Sequence, residues 1–130
     1  MYCFDTNIII DIFRGDNDLK AKLEKFSNTL TDVFLTPITL CELYKGAYLH
    51  HNPIEKIREI EDFLSSFTLL EFDQEAAKKF GKEYSKLSKM GKLISEFDLM
   101  IACIVKMHDL ILITRDKKHF ENIDVKIEVL

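Results

Sequence analysis

The chain is poor in the residues that punctuate, staple or interrupt a fold. Its 130 residues include only four glycines and two prolines, and no repeat, low-complexity run or linker-like stretch divides them. A single domain spanning residues 1–130 is therefore expected, long enough to bury a core without disulfide or metal staples. The longest apolar stretches, at residues 99–105 and 110–113, are far too short to cross a bilayer. No basic segment precedes the strand-like run after Met1, so no signal peptide and no membrane association are expected. The three cysteines (Cys3, Cys41 and Cys103) are odd in number, widely spaced and set among apolar neighbours. They read as small buried residues in a reducing cytoplasm, not as a disulfide framework, a metal site or a nucleophile. Positive charge is also short: 22 acidic residues against 18 basic ones leave a net charge of −4. That argues against a broad basic surface for nucleic acid, although local basic stripes remain available.

What is present is a regular alternation of strand-like and helix-like segments. Strands are expected over residues 2–5, 33–36, 67–72, 110–114 and 125–129. Helices are expected over 8–13, from an Asn17 cap to about 26, from Pro37, over 53–64, 74–89, 96–108 and 117–122. Gly15 and Gly91 stand where two of these helices should end. Leu19, Leu23 and Phe26 would form the inner face of the second helix, and Cys41, Tyr44, Ala47 and Tyr48 that of the third. In the longest helix Ala76, Ala77, Phe80, Tyr84 and Leu87 should face inward, and Lys78, Lys82, Lys86 and Lys89 outward. The helix over 96–108 is apolar nearly all round and should be buried. The alternation predicts an α/β three-layer sandwich, a mainly parallel central sheet flanked by helices.

Four acidic residues stand where strand-like runs give way to helix-like ones: Asp5, Glu42, Asp98 and Asp116. In such a fold the carboxyl ends of parallel strands share one edge, and ligands bind in the crevice there. Carboxylates crowded on that edge repel one another unless a cation lies between them. Hard divalent ions take oxygen ligands, so the pattern points to metal-dependent phosphate chemistry. Asp5 and Asp98 are the expected direct ligands of Mg²⁺ or Mn²⁺. Glu42 would position or deprotonate the attacking water, and Asp116 would complete the outer shell or a second, weaker site. The hydroxyls of Thr6 and Thr114 are suited to bonding these carboxylates or a phosphate oxygen.

Each acid also has a purely structural reading. Asp5 and Asp116 could cap the helices that follow them. Thr39-x-x-Glu42 fits a capping box, and Ser95-x-x-Asp98 is a weaker version of it. Arg14 or Arg58 could neutralise Asp5 or Asp98 through space. The lysine stripe of the long helix reads first as a solvated face. Lys117, Lys118 and His119 beside Asp116 are open to a phosphate contact. His50 and His51 read as an exposed turn and lack the partners for a zinc site.

In order along the chain, Asp5-Thr6-Asn7, Thr39-x-x-Glu42-Leu43, Asp98-x-x-Ile101-Ala102 and Thr114-x-Asp116-x-x-x-Phe120 resemble the motifs of PIN domains. More closely, they resemble the single-domain VapC-type toxins of prokaryotic toxin–antitoxin pairs, over nearly the whole chain. The resemblance implies a Mg²⁺- or Mn²⁺-dependent endoribonuclease acting on single-stranded or structured RNA, often tRNA or rRNA. It also implies a homodimer, held inactive by a cognate antitoxin whose tail enters the acidic site. The family often has Asn at the position of Asp116, and Glu96 is a further acid near Asp98. Two other activities compete. A phosphatase using Asp5 as nucleophile lacks the second Asp two residues on. A silent RNA- or protein-binding domain would use the acids only as caps.

Overall fold

Alternation along the strands decides which side of the sheet each helix covers. The computed structural model describes residues 1–24 and 33–130. Five strands, β1 (Tyr2–Phe4), β2 (Val33–Leu35), β3 (Thr68–Leu69), β4 (Ile111–Thr114) and β5 (Ile127–Val129), form one sheet in the order β3-β2-β1-β4-β5. Every pairing in it is parallel. In β1 the side chain of Cys3 points to one layer and that of Phe4 to the other. In β4 Leu112 and Ile113 divide in the same way. Both central strands are apolar on both faces because helices cover both.

One layer consists of α1 (Thr6–Phe13), α2 (Asn17–Leu23), α3 (Pro37–Tyr48) and α4 (Pro53–Leu64). Ile8, Ile9, Leu19, Leu43, Ala47 and Ile60 pack there against Phe4, Val33, Leu35 and Ile113. The other layer holds α5 (Gln74–Lys89), α6 (Glu96–Met107) and the short α7 (Lys117–Phe120). In α6 Leu99 and the five residues from Ile101 to Val105 are all buried. Each large aliphatic side chain so buried contributes about 1.5–3 kcal/mol. The three-layer α/β sandwich expected from the sequence is therefore the observed fold. No helix among the described residues is long and apolar enough to cross a membrane.

Several local expectations need correction. Cys41 is exposed, and so are Tyr48 and Ala77, so none of them belongs to the core. Cys41 and Tyr48 sit on the side of α3 away from Leu43 and Ala47, which take the inward positions. In α5 the buried face includes Glu83, which is 4% exposed and paired with Lys79 at 3.1 Å. The cap of α2 is Asp16, whose carboxylate accepts from the Leu19 N–H, and not Asn17. Phe26 lies outside the described residues. The third strand is only two residues long, because Leu70 to Asp73 already lead into α5, which Asp73 caps. Gly15 (φ 81°) and Gly91 (φ 66°) take left-handed conformations just after α1 and α5, where a residue without a side chain is least strained.

The strand order places the acids. From β1 the chain steps to β2 and β3 on one side, then crosses to β4 and β5 on the other. The switch point lies between the carboxyl ends of β1 and β4, where a crevice is expected.

Candidate active site at the carboxyl edge of the sheet

Asp5 directly follows β1 and is only 2% exposed. Its backbone N–H donates to the Ile113 carbonyl at 2.9 Å, which extends the β1–β4 register by one residue and locks Asp5 beside Thr114. The Thr114 hydroxyl then donates to Asp5 Oδ2 at 2.8 Å, while Oδ1 accepts from the Thr6 N–H at 2.8 Å. Asp5 thus caps α1 with one oxygen and is held by β4 with the other. Burial pushes its carboxyl up to about 6, and the charges of Asp98 and Glu42 act in the same direction. The hydrogen bonds from Thr114 and the Thr6 N–H partly oppose this.

Glu42 reaches the same place from the second turn of α3. Its Oε1 accepts from the Thr6 hydroxyl at 2.8 Å, and that hydroxyl also lies 2.9 Å from the Thr39 hydroxyl. The capping-box reading fails here. Thr36 caps α3 by accepting from the Thr39 N–H, Pro37 takes the first helical turn, and Thr39 lies inside the helix. Glu42 is consequently turned toward Asp5 and not back onto its own helix.

Asp98 lies in the first turn of α6 and Asp116 just before α7. Neither acts through a cap: the Ser95 and Asp116 side chains make no capping hydrogen bond. Instead His119 Nδ1 lies 2.8 Å from Asp98 Oδ2 and 3.0 Å from Asp116 Oδ2. Burial raises the Asp98 carboxyl above its ordinary range; His119 pulls it down and the Asp116 charge pushes it up. The Asp116 N–H donates to Thr114 Oγ1 at 3.0 Å, so one threonine ties this loop to the carboxylate of Asp5.

The structure therefore brings all four acids, with Thr6 and Thr114, to one edge. Among the described residues no Lys or Arg forms an ion pair with any of the four. Arg14 instead lines a cavity of about 260 Å³ between α1, α3 and α4, whose walls include Phe13, Leu43 and Ile60 and none of the four acids. Glu96 is exposed and joins none of the site's hydrogen bonds given above. Two participants were not legible as such. Thr39 entered only as a cap, and His119 only as a phosphate contact, although its place three residues after Asp116 puts both on one side of a helical turn.

The donor set suits a hard cation. Asp5 after β1, Glu42 on α3 and Asp98 on α6 lie close enough for their charges to interact. Among the described residues no three His, Cys, Asp or Glu side chains converge tightly enough to ligate one ion directly. The spacing fits an ion such as Mg²⁺, which keeps several waters and uses one or two direct carboxylates.

An all-parallel sandwich with a carboxylate cluster at its switch point describes a class of fold and site, and comparison with known proteins narrows it. The PIN domain model matches residues 2–126, and the chain belongs to that family. It is similar to Ribonuclease VapC2 of Haemophilus influenzae, at 37% identity over 94% of this chain and 91% of that protein. It is also similar to the tRNA(fMet)-specific endonuclease VapC of Shigella flexneri, at 30% identity over the same shares of each chain. Among solved structures, VapBC-1 from nontypeable Haemophilus influenzae superposes with a TM-score of 0.87 at 33% identity, over 98% of this chain and 96% of that one.

Proposed function

We propose that this protein is a metal-dependent endoribonuclease, the toxin of a toxin–antitoxin pair, working in the cytoplasm. The observation that carries the reading is the cluster of four carboxylates at the switch point, with no lysine or arginine among the described residues paired to it. The family and the ribonuclease names of its relatives support hydrolysis of RNA. The VapBC and toxin–antitoxin complexes among its structural neighbours support a cognate antitoxin as partner. A homodimer is part of the same proposal.

Asp5 and Asp98 would hold Mg²⁺ or Mn²⁺, with Asp116 completing the outer shell. Once bound, such an ion lowers the pKa of a coordinated water and neutralises charge on the leaving oxygen. The protein's own side chains do the rest. The Thr114 hydroxyl and the Thr6 N–H fix both oxygens of Asp5, so its carboxylate arrives oriented. Glu42, aimed by Thr6, orients the attacking water and accepts its proton. Burial and the charges of Asp98 and Glu42 raise the Asp5 carboxyl, and a cation held there would favour its ionised form.

Incubating the purified chain with total RNA tests this, with Mg²⁺, Mn²⁺ or EDTA and with Asp5→Asn and Asp98→Asn variants. Cleavage should require the divalent ion and fall by about a hundredfold or more in both variants. Cleavage at the parent's rate in either variant overturns the site assignment. Addition of the protein encoded beside it in the genome should silence the activity, and light scattering should give the mass of two chains.

A further inference from the structure

The metal reading leaves one side chain at the site without a task. His119 lies on α7, whose four residues are anchored by Phe120, a core residue 1% exposed. The His119 ring stands edge-on to Phe120, with centroids 6.5 Å apart. From that anchor Nδ1 reaches a carboxylate oxygen on α6 and another on the loop before α7, at 2.8 and 3.0 Å. Both neighbours of Nδ1 are carboxylate oxygens, which accept and do not donate, so the proton sits on Nδ1. A single N–H is thus shared between two groups of like charge. The bridge needs no positive charge on the ring, because the neutral Nδ1–H tautomer already makes both bonds.

Such a bridge has a definite consequence. Asp98 belongs to a helix packed on one layer of the sheet, and Asp116 to a loop at the end of β4. Among the described residues this imidazole is the side chain that bridges the two carboxylates. Without it, mutual repulsion favours rotamers that swing Asp116, one-third exposed, into solvent. Groups that hydrogen-bond metal-ligating side chains fix their orientation, and their loss typically costs about 10–100-fold in affinity.

Building on the metal-dependent reading above, we propose that His119 is a positioning residue: its Nδ1–H fastens Asp98 to Asp116 and thereby sets the affinity of the site for a divalent cation. Its role is exerted through the two carboxylates and requires no contact with the RNA. The imidazole acts as an orienting clasp on the two carboxylates.

Three substitutions separate these roles. His119→Phe keeps the ring and removes the donor. His119→Asn places an amide N–H₂ close to the position of Nδ1. His119→Gln places one near the far edge of the ring. Mn²⁺ binding to the purified chain is measured by calorimetry, with thermal unfolding in EDTA and RNA cleavage across Mn²⁺ concentrations alongside. Expected are a Mn²⁺ affinity about 10–100-fold weaker in His119→Phe and His119→Gln, and within about threefold of the parent in His119→Asn. The Mn²⁺ concentration giving half-maximal cleavage should rise by the same factor, with cleavage at saturating Mn²⁺ largely restored and melting temperatures unchanged. Unaltered or tighter Mn²⁺ binding in His119→Phe would overturn the clasp, and so would failure of His119→Asn to rescue. A parent protein that binds no Mn²⁺ sinks the metal reading and the inference together, whereas parent binding with an indifferent His119→Phe sinks the inference alone.

Discussion

Two acidic clusters lie side by side at the end of β4, and they are held in opposite ways. Arg115 donates through Nη1 to Asp11 at 2.8 Å and to Asp16 at 3.0 Å, joining the β4–α7 loop to both ends of the α1–α2 turn. The next residue, Asp116, instead meets His119, which also reaches Asp98, and among the described residues no Lys or Arg pairs with either. The carboxyl of Asp16 is accordingly lowered, first by its capping bond from the Leu19 N–H and then by Arg115. That of Asp5 is raised by burial and by its neighbours' charges. Acids that serve architecture come with a partner built into the chain. At the sheet edge the partners are hydroxyls, a backbone N–H and an imidazole, and the carboxylates lie close enough to raise one another.

The contrast is easiest to break through activity. Asp98→Asn and Asp5→Asn should lower RNA cleavage by about a hundred- to a thousandfold, the range seen when a principal electrostatic group is removed. Asp11→Asn should leave cleavage within a few-fold of the parent. Equal losses in all three, measured as initial rates in Mg²⁺, would erase the distinction between the clusters.

Stability against pH probes the same difference. Folding raises the Asp5 carboxyl from its ordinary 3.8 to about 6. Between those values the folded chain keeps a proton that the unfolded chain has lost. The stability Asp5 contributes in acid is therefore lost as pH rises through about 6, and by pH 8 the ionised residue costs about 3 kcal/mol. In EDTA, Asp5→Asn should melt higher than the parent at pH 8, and the two should converge near pH 4. A variant that gains nothing at pH 8 would show that the buried carboxylate is already fully compensated.

Thr114→Val removes the donor to Asp5 Oδ2 and the acceptor of the Asp116 N–H with little change of shape. At pH 8 it should cost about 2 kcal/mol, and less in acid, where a neutral carboxyl needs the donor less. Chemical denaturation at the two pH values measures the difference. The smallest effect is expected at the paired cluster. Arg115→Gln loosens an exposed salt bridge, and its melting temperature should differ from the parent's only at low ionic strength.

Much of this was legible in the residues. The continuous apolar runs at 99–105 and 110–113 gave away a helix and a strand buried on both sides. Asp5 and Asp116 stand after strands as expected, whereas Glu42 lies in the second turn of α3 and Asp98 in α6, which follows a helix and not a strand. Other features depended on partners remote in sequence. Thr39-x-x-Glu42 satisfies the capping-box pattern, yet Thr6, 36 residues from Glu42, claims its carboxylate. Cys41 and Tyr48 fit an apolar stripe on α3, but Leu43 and Ala47 already fill the face turned to the sheet. Glu83 is buried at a position that its charge alone would place outside, because Lys79 one turn earlier lies over it and supplies the partner.

Local chemistry along the chain determined which segments are strands and helices, since periodicity and caps act over a few residues. Only the tertiary structure decided which hydroxyl, imidazole or guanidinium each carboxylate meets. Those encounters are set by the parallel register of β1 against β4 and by the helices packed across them. Electrostatic energies in a half-buried crevice depend on separations of a few ångströms, and the order of residues alone does not specify distances of that size.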